Sequence, residues 1–126
     1  MRFMIIVKAS VDSEAGVMPP ASLIAQMGAF HEELAHAGVL LDGAGLKASA
    51  HAWRVAIGAD GQRRVIDGPF AETKELIAGY TLIQVRSHDE AIEWSRRYPN
   101  PNLGGSACEI EVRQLFEAED FAPAAN

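Results

Sequence analysis

The densest grouping of residues able to do chemistry is Asp67-Gly68-Pro69-Phe70-Ala71-Glu72-Thr73-Lys74-Glu75. Asp67 precedes Gly68 and Pro69, where a strand-end carboxylate can face a cavity and act as general acid or base, tuned by burial or a nearby cation. The same tripeptide is ordinary turn chemistry, with Asp accepting a backbone N–H two residues on and Pro fixing φ. Glu72 offers a second carboxylate and Lys74 an anion contact, or the run is a solvated loop. Pro69 and Phe70 are either ligand contacts or architectural plugs, and Thr73 can hold the loop through local backbone bonds.

His31 lies one helical turn beyond Met27, near an apolar stripe. An imidazole there either faces a pocket and does acid/base work near neutral pH or sits at a helix border, satisfied by a carbonyl or water. His36 falls on the solvent side of that helix, and His51 and His88 read as loop and helix-start residues. Arg113 shares one face of the last strand with Glu109 and Glu111, while Cys108, Ile110 and Val112 share the other. If that face lines a pocket, its guanidinium can pair with a substrate carboxylate or with Asp67.

Other signatures are missing. No H-x-x-x-H or H-E-x-x-H spacing occurs, so no metal is expected, and nothing points to another cofactor. Gly104-Gly105-Ser106 leads into a strand and lacks the helix N-terminus that cradles phosphate. No G-x-S-x-G is present, and Cys108, the sole cysteine, reads as a core residue of an alternating strand.

The elements that must position these groups follow from periodicity. Phe3 to Val7 is a continuous apolar run, a central strand ending in a polar loop from Lys8 to Gly16. Pro19 or Pro20 opens a helix to about Ala37, closed by Gly38, with Leu23, Met27, Phe30 and Leu34 on one stripe. Val39 to Leu46 is extended. Ala52 to Ile57 and Arg63 to Ile66 pair as a hairpin across Ala59-Asp60-Gly61-Gln62, delivering Asp67 at its exit.

Gly79 to Arg86 alternates with apolar character on both faces. Ser87 and Glu90 form a capping-box pattern that starts a helix to about Tyr98, with Ala91, Trp94, Ser95 and Tyr98 inward. Cys108 to Phe116 is the last strand. The order β-α-β-hairpin-β-α-β predicts an α+β, ferredoxin-like sandwich over residues 1–116, both helices on one sheet face, and a peripheral tail over 117–126. The second sheet face, carrying Thr81, Ile83 and Val85 or their alternates, then needs cover, which a symmetric homodimer supplies.

At 126 residues and 48% hydrophobic content the chain accommodates one core. The 11 basic residues scattered among 17 acidic ones, formal charge −6, argue against nucleic acid and anionic membrane surfaces as partners. No apolar run approaches a spanning helix or a signal-peptide core, and the lone cysteine suits a reducing compartment, so a cytoplasmic location is expected.

The segment Asp67 to Glu75 resembles the signature of the DGPF branch of the YciI-related (YCII-related domain) proteins. Met1-Arg2-Phe3-Met4, Glu32-Glu33-Leu34, Ala37-Gly38-Val39-Leu40-Leu41, Ala91-Ile92-Glu93-Trp94 and Glu111-Val112-Arg113 are similar to the same consensus, so the resemblance covers nearly the whole chain. It implies a ferredoxin-like fold assembled as a dimeric α+β barrel. It also implies a link to sigma-factor pathways by gene context, since members are often encoded near extracytoplasmic-function sigma factors. The wider group carries a His in the first helix and an Asp before a Pro after the second, read as a catalytic pair. Here Met27 and Tyr98 occupy those places, so the pair does not carry over.

Two functions are therefore expected in competition. One is a ligand binder or cofactor-independent enzyme for a small organic molecule, with a pocket near the motif and dimer interface, Asp67 and His31 as acid/base groups, and Pro69, Phe70, Glu72, Lys74 and Arg113 as contacts. The other is a protein-interaction or regulatory accessory in which the motif is structural.

Overall fold

The computed structural model describes residues 1–122. Six strands and three α-helices follow the chain: β1 (Arg2–Lys8), α1 (Val11–Glu14), α2 (Ala21–His36), β2 (Leu40–Gly45), β3 (Trp53–Ile57), β4 (Arg63–Asp67), β5 (Ile77–Gln84), α3 (His88–Arg96) and β6 (Ile110–Gln114). The main sheet has the order β2-β5-β1-β6 with every neighbour antiparallel, while β3 and β4 form a separate two-stranded sheet. Setting the hairpin aside, this is the expected ferredoxin-like order.

The strand pleat decides which face is core. Thr81 and Ile83 on β5 and Phe3 and Ile5 on β1 are buried, and they pack with Phe30 and Leu34 of α2 and Ala91 of α3. Both helices thus cover one sheet face. Ile110 and Val112 of β6 join this core, which turns Glu111 and Arg113 to the other face. That helix-free face has Met4 opposite Leu82 and Ile6 opposite Tyr80 at its centre, all four half-buried within one protomer. The alternates, rather than Thr81, Ile83 and Val85, are the residues left without cover.

Several sequence expectations change in detail. The loop from Lys8 to Gly16 contains helix α1, because Ser10 and Ser13 cap it reciprocally: Ser13 N donates to Ser10 Oγ at 3.1 Å and Ser10 N to Ser13 Oγ at 2.8 Å. Ser87 does accept the Glu90 N–H at 3.1 Å, but the Glu90 carboxylate turns to the Arg86 N–H at 3.0 Å, so only half of the capping box forms. Cys108 precedes β6 and is exposed, its thiol donating to Asn100 Oδ1 at 3.2 Å. It is not a core residue, since the alternation that seemed to include it begins only at Ile110.

Of the tail, Glu117 accepts from Arg2 Nε at 3.0 Å and Phe116 stacks at a tilt on Phe121, while residues 123–126 lie outside the described residues. Among the described residues no helix is long and apolar enough to cross a membrane, and no group of three or more His, Cys, Asp or Glu is arranged to hold a metal ion.

Candidate functional site

Two polar assemblies stand out, each centred on one of the two polar side chains buried among the described residues, Ser49 and Thr81. Ser49 opens a short 3-10 turn, Ser49–His51, between β2 and the hairpin. Its backbone N–H donates to Glu14 Oε2 at 2.9 Å, its hydroxyl donates to Glu14 Oε1, and the same hydroxyl oxygen accepts the Phe70 N–H at 2.9 Å. The carboxylate at the end of α1 therefore grips the turn twice, and the turn holds the loop after Asp67.

Gly68 makes this close approach available. A Cβ there would lie 1.8 Å from the Ser49 carbonyl oxygen, and the Gly68 N–H donates to Ala52 O at 2.9 Å. Pro69 follows through a cis peptide. The Arg54 guanidinium of β3 lies 3.8 Å above the centroid of the Phe70 ring, tying hairpin to loop by a cation–π contact.

Beside this mooring is a cleft of about 440 Å³, within the range of small-molecule sites. Leu46, Ala52, Phe70, Leu76 and Ile77 give it apolar walls, and Glu14, Lys47, Ser49, His51 and Glu75 supply its polar groups. Of the residues expected from sequence, only Phe70 lines it. Asp67 pairs with Trp53 at the base of the hairpin, and among the described residues its carboxylate makes no hydrogen bond or ion pair. It is not tied up capping its own turn.

Glu72 and Lys74 are exposed beside the 3-10 turn Thr73–Glu75, and Pro69 is exposed as well. Arg113 lies on the helix-free sheet face, 3.4 Å from Glu111, which also pairs with Lys8 at 3.3 Å. Those two cations, Lys8 first, hold the Glu111 carboxyl below its ordinary range. His51, Glu14, Lys47 and Ser49 were missed in sequence. Their spacing shows no motif, because two separate segments, the end of α1 and residues 47–51, are brought together only by the fold.

The second assembly lies under α2. His31 Nδ1 is 2.9 Å from the Met27 carbonyl oxygen and Nε2 is 2.8 Å from Thr81 Oγ1, which is 3.3 Å from the Tyr98 hydroxyl. A carbonyl only accepts, so Nδ1 carries the proton. In the neutral ring Thr81 then donates to Nε2 and Tyr98 donates to Thr81. A second proton on His31 reverses the chain, with Nε2 donating to Thr81 and Thr81 to Tyr98, so both ring states are accommodated.

Burial pushes the Tyr98 phenol up from its ordinary value, and its bond to Thr81 partly offsets this. A Cβ at Gly43 would meet His31 Nε2 at 3.0 Å, so the glycine across from Thr81 leaves room for the ring. Met27 and Tyr98 are thus bridged by His31 and Thr81. Asp67 and His31 share no partner, so the two expected acid/base groups do not form one constellation.

A model described as the YCII-related domain matches residues 1–117. An uncharacterized protein, R00369 of Rhizobium meliloti (strain 1021), is 40% identical over 57 residues, 45% of this chain and 46% of that protein. The chain thus spans about half the length of this curated relative. A solved structure of 5-chloro-2-hydroxyhydroquinone dehydrochlorinase (TftG) from Burkholderia phenoliruptrix AC1100, in complex with 2,5-dihydroxybenzoquinone, is similar at a TM-score of 0.46 and 15% identity, covering 95% of this chain and 98% of that one. With its model matched from Met1 to Glu117, the chain belongs to the YCII-related domain family.

Proposed function

We propose that this protein binds a small organic molecule in the cleft between the Ser49 turn, the Phe70 loop and the start of β5, and that it belongs to the DGPF branch on the strength of residues 67–75. The observation that carries the reading is the mooring of Phe70. A carboxylate, a buried hydroxyl and a glycine without room for a Cβ together fix an aromatic wall beside a 440 Å³ space. Preorganised apolar walls with a few polar groups are what a small-molecule site needs. On this reading Lys47, His51 and Glu75 are the cleft groups that meet the polar parts of a ligand, because Glu14 is engaged by Ser49 and both Asp67 and His31 stand outside the lining.

A thermal-shift screen against a library of small organic molecules tests it, comparing wild type with Ala52→Phe, which fills the cleft, and Asp67→Asn. The expected result is a compound that raises the melting temperature of wild type and Asp67→Asn but not of Ala52→Phe. The reverse pattern would move the site to Asp67. A library without any hit would favour the accessory reading, which draws its own support from the exposed apolar hairpin.

A further inference from the structure

Among the described strands β4 alone has every residue exposed, and its outer edge is open. The ladder to β3 shows which backbone groups that edge carries. Gly58 N donates to Gln62 O and Gly68 N to Ala52 O, so the hydrogen-bonded pairs between these ends are Arg54 with Ile66 and Ala56 with Arg64. The N–H and C=O groups of Arg63, Val65 and Asp67 therefore point away from β3, and no backbone group among the described residues bonds to them.

Exposed strand edges are commonly guarded by proline, lysine or a bulge. β4 has none of these: its register with β3 is unbroken, and Val65 at its centre is 63% exposed. Beyond Asp67 the chain turns toward Ser49, whose Oγ accepts the Phe70 N–H, so it does not run along that edge. A two-stranded sheet by itself is marginal in water, and this one pairs with no strand of the main sheet. Further strands would stabilise it.

The sequence of β4 is complementary to itself. Arranged antiparallel about Val65, two copies of Arg63-Arg64-Val65-Ile66-Asp67 set Val65 opposite Val65 and, twice over, Arg63 opposite Asp67. Opposed side chains stand about 5 Å apart at Cβ, close enough for both ion pairs. The three residues whose backbone points outward are the three that this register joins by hydrogen bonds. A parallel arrangement in register would oppose Arg63 to Arg63 and Asp67 to Asp67, so charge selects the antiparallel one.

Within their own chain, Arg63 and Asp67 have no ion-pair partner among the described residues. Other outer strands offer less. On β6, Glu111 already pairs with Arg113 and Lys8; on β2 the one charge, Asp42, accepts from Tyr80; on β3 the one charge, Arg54, lies over Phe70.

We propose that β4 is an assembly edge, to which a second copy of this chain adds its own β4 antiparallel, fusing two hairpins into one four-stranded sheet, β3-β4-β4-β3. The contact is two-fold and self-complementary. It uses no residue of the main sheet, so it is separate from any packing of main sheets face to face, and one chain can make both contacts. It also gives Asp67 a cationic partner, at the strand end from which the Phe70 loop departs.

Sedimentation equilibrium of ligand-free protein over a concentration series tests this, apart from whether the cleft binds anything. Val65→Pro removes an outward N–H that the β3 ladder does not use. Arg63→Asp and Asp67→Arg each set like charges opposite one another twice, and the two changes combined in one chain restore both pairs. Wild type and the combined variant are expected at twice the mass of Val65→Pro and of each single charge reversal, with far-UV circular dichroism unchanged throughout. Should Val65→Pro alter the dichroism, the charge series alone decides. Equal masses for wild type and both single reversals, or a combined variant that stays at the mass of the single ones, overturn the proposal.

Discussion

Ser49 and Thr81 are both hydroxyls sealed inside the protein, yet they are put to different uses. Ser49 is held by a carboxylate and by backbone, so its bonds fix the course of the chain: the end of α1, the turn after β2 and the loop at Phe70. Thr81 is held by an imidazole and a phenol, and its bonds can reverse direction without moving any backbone. A buried hydroxyl between a carboxylate and a peptide N–H is a clamp. A buried hydroxyl between two titratable rings is a relay. Damage at the first should therefore appear as lost structure, and damage at the second as an altered environment of its two rings.

The largest effect is expected for Gly68→Ala. With the new methyl 1.8 Å from the Ser49 carbonyl oxygen, both backbones must separate, and the loss should be about 3 kcal/mol or more. Chemical denaturation measures it, and a loss below about 1 kcal/mol would show that the loop is not clamped. Ser49→Ala comes next. It removes a hydrogen bond to a carboxylate and strands the Phe70 N–H, for about 2–3 kcal/mol. Faster amide exchange at Phe70 should accompany it, while the environment of His31, followed by its ring proton resonances, should be unchanged.

The relay and the clamp were unequally legible in sequence. His31 was found because its helical spacing from Met27 and Leu34 set it on the inner border of α2, and the carbonyl partner considered for it is the one it has. Thr81 was visible only as one member of an alternating strand. Without knowing which face the helices cover, a hydroxyl among Ile83 and Val85 has no assigned partner. The clamp could not be read, since Glu14, Ser49 and Phe70 are separated by 35 and 21 residues in the chain and meet only through tertiary packing.

The motif itself was legible as a turn at the hairpin exit. Asp67, read as the chemical group or a turn carboxylate, lies exposed on the hairpin, whereas Phe70, read as ligand contact or plug, lines the cleft, and Gly68 allows the loop to approach the Ser49 turn. Helix periodicity and strand alternation transferred well because they depend on local geometry. Cys108 failed for the complementary reason: two residues of apparent alternation extended a strand that hydrogen bonding begins only at Ile110.

Thr81→Val tests the relay with a change of nearly equal volume. Losing the hydroxyl leaves His31 Nε2 and the Tyr98 phenol without their partner, and a loss of about 1–2 kcal/mol is expected. The ring proton resonances of His31, followed by NMR, should differ from wild type, which Ser49→Ala should not produce. Unchanged resonances in Thr81→Val would reduce the relay to packing.

The smallest effect is expected at alkaline pH, through Tyr98. Burial raises its phenol above the ordinary value near 10, so the folded state holds this proton more tightly than the unfolded chain does. The stabilisation is fully present below the unfolded value and is lost as pH rises through the folded one. Wild type should therefore lose melting temperature above about pH 10 more steeply than Tyr98→Phe, which has no proton to lose there. Tyr80 is the internal control. Its phenol is also raised, chiefly by its bond to Asp42, but it lies on the helix-free face away from the relay. Phenolate absorbance during the same titration assigns the steps, since the chain has only two tyrosines. Equal alkaline slopes for wild type and Tyr98→Phe would mean that the phenol is solvated, and the relay would then end at Thr81.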